Sequence, residues 1–296
     1  MLEFERYNRI FGENFDIEKI RSSEFLWSVR VNTLKISFED LVKKLEGKDY
    51  EIENIPFCKE GLWIKSKENL SKTIEHTLGY FIIQNASSMI PPLVLDPKPE
   101  DRILDLCASP GAKTTQIAAM MKNEGLIVAN DVTDKRLKAL RGNLQRCGVF
   151  NTIVTRMYGE NFWKTNLKFN KILLDVPCTA TGTLNPRILK ETSLPSIKVL
   201  SKLQKRLLAS ASKCLEDKGL IVYSTCSLEP EENEENIDFA IRELGLKTDK
   251  IGIKDLPFSP ALKEWNNLEY DKSVSNAIRI KPDNKMEGFF ICKLTK

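Results

Sequence analysis

LDLCASPGAKTTQIA, residues Leu104 to Ala118, reads as a buried strand that stops in a tight turn and restarts as a helix. Asp105 ends an apolar run, and Ser109-Pro110-Gly111-Ala112 lets a ligand approach the backbone before the helix. A helix over residues 113–122 then begins with backbone N–H groups that no earlier carbonyl satisfies, a ready receptor for a carboxylate or phosphate. Outward from this unit the same alternation repeats. Strands are predicted over 126–130, 152–157, 171–175 and 220–224, helices over 133–147, 197–215 and 231–244, and a closing strand pair in NAIRIKP and GFFICKL. Strands alternating with helices specify an α/β fold, a mostly parallel, doubly wound sheet whose ligands bind at the carboxyl ends of its strands.

The residues at those strand ends carry the chemistry. The turn lacks both the G-x-G-x-x-G spacing and the Walker pattern, which disfavours a dinucleotide or nucleoside triphosphate. Asp131 closes the second strand, where an acidic side chain can accept from two ribose hydroxyls; the competing reading is a role in starting the next helix. Asp175-Val176-Pro177-Cys178 closes another strand, with a carboxylate able to hold a polar ring edge or an ammonium group. Cys226 follows Tyr223-Ser224-Thr225 at the end of a fourth. Both thiols stand in polar loops, as a thiolate nucleophile must, whereas Cys58, Cys107, Cys147, Cys214 and Cys292 read as small core hydrophobes.

Seven scattered cysteines, an odd number without CxxC pairs, argue against a zinc site or a disulfide framework and fit reduced, cytoplasmic thiols. The single histidine, His76, has no nucleophile motif nearby and reads as structural. No apolar run approaches a membrane span. The net charge of +4 permits a polyanionic partner without requiring one. Basic residues gather in two helical segments, Lys135 to Arg146 and Lys198 to Arg206, which are either solvated faces or contacts for such a partner.

Residues 1–85 read as a small α+β module ahead of a main domain spanning 86–296. SVRVNTLKI (28–36) and GLWIKS (61–66) are strand-like, and Ser37 caps a helix that carries Leu41, Val42 and Leu45 on one face. A β-α-β unit of this kind suggests an RRM-like or ferredoxin-like half-domain, although it lacks an aromatic RNA-binding signature.

CASPGAKT, DVPCTATG and YSTCSLEPEENE together resemble the RNA cytosine-5 methyltransferases (the RsmB/Nop2/NSUN group), with RVNTLK (30–35) similar to their N-terminal signature. The resemblance implies a Rossmann-like class I methyltransferase that uses S-adenosyl-L-methionine. It makes Cys107, Ala108, Ser109, Pro110, Gly111, Ala112 and Lys113 the donor-binding turn, with Asp131 on the ribose. It puts Asp175 beside the donor's methionine end and the target base, makes Cys226 the nucleophile and gives Cys178 a part in product release, with Lys113 adding positive charge nearby. Where the family often has an acidic residue that reads the adenine, this chain has Tyr158-Gly159, so that contact falls to the Tyr158 backbone or ring, or to Glu160.

Two rival readings have different consequences. A DNA cytosine-5 methyltransferase would use Cys178 as its nucleophile, and an RNA-binding assembly factor would keep the fold without activity. The expected partner is RNA, with tRNA favoured over ribosomal RNA because the form is compact, and a monomer is expected.

Overall fold

The computed structural model describes residues 4–24, 26–48 and 50–296. Its first part comprises α1 (Phe4–Phe11), α2 (Ile17–Arg21), β1 (Trp27–Val31), α3 (Phe38–Glu46), β2 (Glu51–Asn54), β3 (Gly61–Lys65), α4 (Ile74–Thr77) and β4 (Phe81–Ile83). The Ser37 side chain accepts from the Asp40 N–H and starts α3, which seats Leu41 and Leu45 against Val29, Val31, Leu62, Ile64 and Phe81. The four strands lie in the order β2-β3-β1-β4, with every neighbouring pair antiparallel. The β-α-β reading therefore needs one correction. The strand that returns parallel to β1 is β2, and GLWIKS (β3) is inserted antiparallel between them, giving a split unit. EIEN is exposed along most of its length, so no apolar alternation marked it as a strand.

The second part runs through α5 (Ile90–Leu95), β5 (Arg102–Asp105), α6 (Ala112–Met120), β6 (Leu126–Asp131), α7 (Asp134–Cys147), β7 (Thr152–Arg156) and β8 (Phe169–Asp175). It continues through α8 (Pro186–Glu191), α9 (Leu194–Cys214), β9 (Leu215–Thr225), α10 (Glu234–Arg242), β10 (Lys247–Asp249), β11 (Ser259–Pro260), β12 (Glu264–Trp265), β13 (Leu268–Glu269), β14 (Ile278–Ile280) and β15 (Phe289–Thr295). The strands β9-β8-β5-β6-β7 are parallel neighbours. On the β9 side, β15 and β14 extend the sheet antiparallel, as the predicted closing pair. Strand order reverses between β5 and β8, and a crevice opens at the carboxyl ends of strands at such a point.

Alternation along each strand divides the core between two faces. Leu104, Ile172, Leu174, Ile221, Tyr223, Phe290 and Cys292 face α9 and α10, in a cluster that includes Leu207, Leu208, Ala211, Ile237 and Ala240. Their neighbours Ile103, Leu173, Val222, Phe289 and Ile291 face α5 and α6, against Ile90, Val94, Leu95 and Ile117. α9 starts three residues earlier than predicted because Ser193 and Ser196 form a reciprocal cap. Among the described residues no helix is long and apolar enough to cross a membrane.

RVNTLK turns out to be a stitch between the two parts. Arg30, 2% exposed, donates to Gln84 Oε1 at 2.9 Å, to the Ala112 carbonyl at 3.3 Å and to Thr115 Oγ1 at 2.9 Å. Asn32 donates to the carbonyls of Gly79 and Cys147, and Lys35 to those of Leu78 and Arg146. Carbonyl groups at the start of α6 and the end of α7 thus depend on side chains from the N-terminal sheet.

Candidate active site

The loops leaving β5, β8 and β9 converge on a cavity of about 260 Å³. Of the residues singled out from sequence, Cys107, Ala108, Ser109, Pro110, Ala112, Lys113, Asp175 and Cys226 line it. The turn is held by Asn130, whose carbonyl accepts from Ala108 N while its side chain donates to the carbonyls of Leu106 and Met157. Gly111 adopts φ +101°, which an L side chain rarely tolerates, and a Cβ there would meet Leu140 Cδ1 at 2.8 Å. It shapes the turn from behind rather than lining the cavity.

Asp131 is 4% exposed and accepts from Ser109 N at 2.9 Å, Val132 N at 2.7 Å and Arg136 Nε at 2.7 Å. Only one of these donors reaches Oδ2, which keeps acceptor capacity for a hydroxyl. Tyr158 does not reach the cavity. It precedes a short 3-10 turn and is 65% exposed.

Two thiols and one ion pair define the reactive corner. The Cys178 and Cys226 sulfurs are 3.3 Å apart. Asp175 accepts from Lys113 Nζ at 2.7 Å on one oxygen and from Ser224 Oγ at 2.7 Å on the other, so its carboxylate is fixed in plane and neutralised by one cation. The hydrogen bond to Cys226, reinforced by burial, pushes the Cys178 thiol well above the ordinary thiol range. The two thiols are thus held in direct contact, with either able to donate to the other. The loops carrying the two sulfurs are sewn together where Gly182 N donates to the Cys226 carbonyl and Gly288 N to the Gly182 carbonyl.

Sequence reasoning passed over several residues here. Asp105 lines the cavity, and Thr114 Oγ1 donates to its Oδ2 at 2.6 Å while Oδ1 is buried without a partner. Burial pushes its carboxyl up to about 7. The signal was its place at the end of an apolar strand. Gln84, Asn85 and Ser88 from QNASSM also line the cavity, as do Glu287 and Phe289, which no local pattern announced. The Lys113 ammonium lies 5.3 Å from the Phe289 ring centroid. His76 stands apart, half-buried, with its ring 5.6 Å from Phe81. Among the described residues no His, Cys, Asp and Glu group could hold a metal ion.

Comparison with known proteins identifies the family. The family described as 16S rRNA methyltransferase RsmB/F matches residues 92–295, and the N-terminal domain of 16S rRNA methyltransferase RsmF matches residues 4–86. The chain is 41% identical to a tRNA (cytosine(49)-C(5))-methyltransferase of Pyrococcus abyssi, over 99% of this chain and 98% of that one. It is 37% identical to ribosomal RNA small subunit methyltransferase F of Vibrio campbellii over 91% of this chain, but spans only 56% of that relative. The solved structure of NSun6 from Pyrococcus horikoshii with SFG has a TM-score of 0.86 at 28% identity, covering 99% of this chain and 97% of that one.

Proposed function

The chain belongs to the RsmB/F methyltransferase family, and on that premise we propose that it is an S-adenosylmethionine-dependent RNA cytosine-5 methyltransferase acting on tRNA through a covalent bond from Cys226. The observation that carries this reading is the pair of sulfurs 3.3 Å apart, with Cys226 opening on the cavity that Asp175 and Lys113 share. The cavity suits the donor. The unpartnered Asp105 Oδ1 would be satisfied by an ammonium group, the α6 turn offers backbone N–H groups to a carboxylate, and Asp131, which does not itself line the cavity but binds Ser109 N of its lining, keeps acceptor capacity on Oδ2 for a ribose hydroxyl. S-adenosylmethionine supplies an electrophilic methyl group.

The chain's own residues supply the rest. Carbon 5 of cytosine is too weak a nucleophile to take a methyl group unaided. Addition of the Cys226 thiolate to carbon 6 breaks the ring conjugation and makes carbon 5 enamine-like. Asp175, steadied by Lys113 and Ser224, hydrogen-bonds the ring edge as charge develops there, and its preorganisation lowers the barrier. After methylation a base removes the carbon 5 proton, the carbon 6–sulfur bond breaks and Cys226 leaves as thiolate. Cys178, in contact with Cys226, assists by hydrogen-bonding to that sulfur as negative charge returns to it. The base must be unstacked to reach the site, which is less costly in a loop or flexible region than in a duplex.

A tRNA substrate is favoured because the chain matches a tRNA enzyme along nearly its whole length, whereas it spans about half of the ribosomal relative. We place the enzyme in the cytoplasm, where the thiols stay reduced. The test is trapping with 5-azacytidine-substituted tRNA. Cys226→Ala abolishes the denaturation-resistant adduct and Cys178→Ala preserves or accumulates it; the reverse pattern assigns the nucleophile to Cys178 and refutes the mechanism. Bisulfite sequencing of tRNA and ribosomal RNA from cells with and without the gene decides between the two RNA classes.

A further inference from the structure

SLEPEENEEN, residues 227–236, has the composition of a solvated acidic face, yet Glu229, Glu232 and Glu234 are all 0% exposed. Two of the three have arginine partners. Arg6 Nε donates to Glu229 at 2.6 Å, and Arg279 grips Glu234 through two nitrogens at 2.6 and 2.5 Å. Glu232 has no cation within ion-pair distance among the described residues, and neutral donors surround it instead. Thr179 N reaches Oε2 at 3.1 Å, Thr179 Oγ1 reaches Oε1 at 2.5 Å, Ser227 Oγ reaches Oε1 at 2.7 Å and Gln204 Nε2 reaches Oε2 at 2.7 Å. Every one of these groups donates, so the carboxyl is used purely as an acceptor.

The identity of the donors gives the arrangement its meaning. Thr179 is the residue after Cys178, and Ser227 is the residue after Cys226. Gln204 also donates to the Pro177 carbonyl at 2.9 Å, on the other side of Cys178, and its own oxygen is held by Asn236. One buried carboxylate therefore spans both thiol-bearing loops. We propose that Glu232 is a positioning residue of the methyl-transfer site, which holds the Cys178 sulfur against Cys226 through Thr179, Ser227 and Gln204.

The two loops depend on Glu232 unequally. Cys226 is also fixed by the β9 ladder and by Asn233 acting on Thr225 and on the Ser227 carbonyl. The Cys178 side has Thr179 bound to Glu232 through both N and Oγ1. Losing Glu232 releases Cys178 more than Cys226, so expulsion of the enzyme thiol suffers and addition survives.

This proposal rests on the covalent reading above, and the test separates the two. Full-length Glu232→Gln is compared with wild type on natural tRNA and on 5-azacytidine tRNA. Expected is a kcat lower by roughly 10- to 100-fold, the loss from one charged buried hydrogen-bond set. The donor KM should stay within about two-fold, azacytidine trapping should persist, and methylated natural tRNA should accumulate as adduct. A wild-type kcat, or loss of all adduct in a variant that still melts cooperatively, overturns the role. If Glu232→Gln does not fold, Thr179→Val decides. Adduct accumulation on natural tRNA supports the proposal, and unchanged turnover overturns it. A wild-type enzyme that never traps refutes the covalent reading itself, a result distinct from any of these.

Discussion

Asp105→Asn isolates the electrostatics of the donor cavity. In the folded chain the carboxyl is 1% exposed, has one donor on Oδ2 and none on Oδ1, and burial raises it to about 7, with the Asp175 charge adding to the effect against Thr114. In the unfolded chain it titrates near an ordinary aspartate, about 3.9. Between roughly pH 4 and 7 the folded state therefore holds a proton that the unfolded state has released. Stability falls as pH rises through that window and levels off above it. At about 1.4 kcal/mol per pH unit the full separation is worth roughly 4 kcal/mol, and relaxation around the charge lowers the expected figure to about 2–4 kcal/mol.

Asparagine does not titrate. Its oxygen can still accept from Thr114, and its unpaired N–H costs about 1–3 kcal/mol at every pH, so that cost cancels from a comparison across pH. Urea unfolding of both proteins at pH 5, 6, 7 and 8, without donor, gives the double difference directly. Asparagine should gain on wild type by about 1.5–2.5 kcal/mol between pH 5 and 8, because only the stretch from pH 5 to about 7 lies inside the window. Donor affinity should respond in the opposite sense. An ammonium beside Asp105 favours the ionised form, so wild-type affinity for S-adenosylmethionine rises with pH up to about 7 and then levels, while the variant binds weakly and without that slope. A stability gap that stays constant within about 0.5 kcal/mol from pH 5 to 8 refutes the reasoning.

Two substitutions probe the scaffold. In Gly182→Ala the new Cβ would sit 2.1 Å from the Gly288 oxygen and 2.7 Å from the Cys226 oxygen, both main-chain atoms that cannot simply rotate away. It should cost about 3 kcal/mol or more and abolish trapping, read by thermal melting and adduct yield, and a wild-type melt contradicts the close approach. Arg30→Met removes the donor to Gln84 Oε1 and leaves the Ala112 carbonyl to Thr115 Oγ1, and should destabilise by about 1–3 kcal/mol. Because Ala112 opens α6, calorimetric affinity for the donor should fall more than affinity for tRNA; equal losses, or none, would disconnect the stitch from the turn.

What the sequence made legible were the elements whose pattern is local. The parallel strands announce themselves because both faces are buried, giving apolar runs such as ILL before Asp175 and LIVA before Asn130-Asp131. The turn and the two strand-end cysteines could be read because Gly, Pro and polar loops interrupt those runs. Elements whose role depends on distant partners were not legible. β2 is an exposed edge strand without alternation, and the helix read over 231–244 takes in residues 231–233 although α10 begins only at Glu234. Nothing local distinguishes Glu232, which is buried against the Cys178 loop, from Glu231, whose partner is Arg6. Asp105 presents the same difficulty, since the burial that raises its carboxyl is supplied by other segments.

Those distant partners also change what the N-terminal segment is for. Read locally, residues 4–83 form a small sheet with helices attached. In the fold, α1 reaches the loop after Cys226, where Arg6 pairs with Glu229 and Glu231 and Tyr7 donates to Glu229 at 3.0 Å. Arg30 in β1 reaches the start of α6 behind the donor turn. The same segment therefore buttresses both sides of the reactive corner, the thiol loop through one arginine and the donor turn through another. The two parts of the chain are therefore packed together on both sides of the cavity rather than joined by a tether.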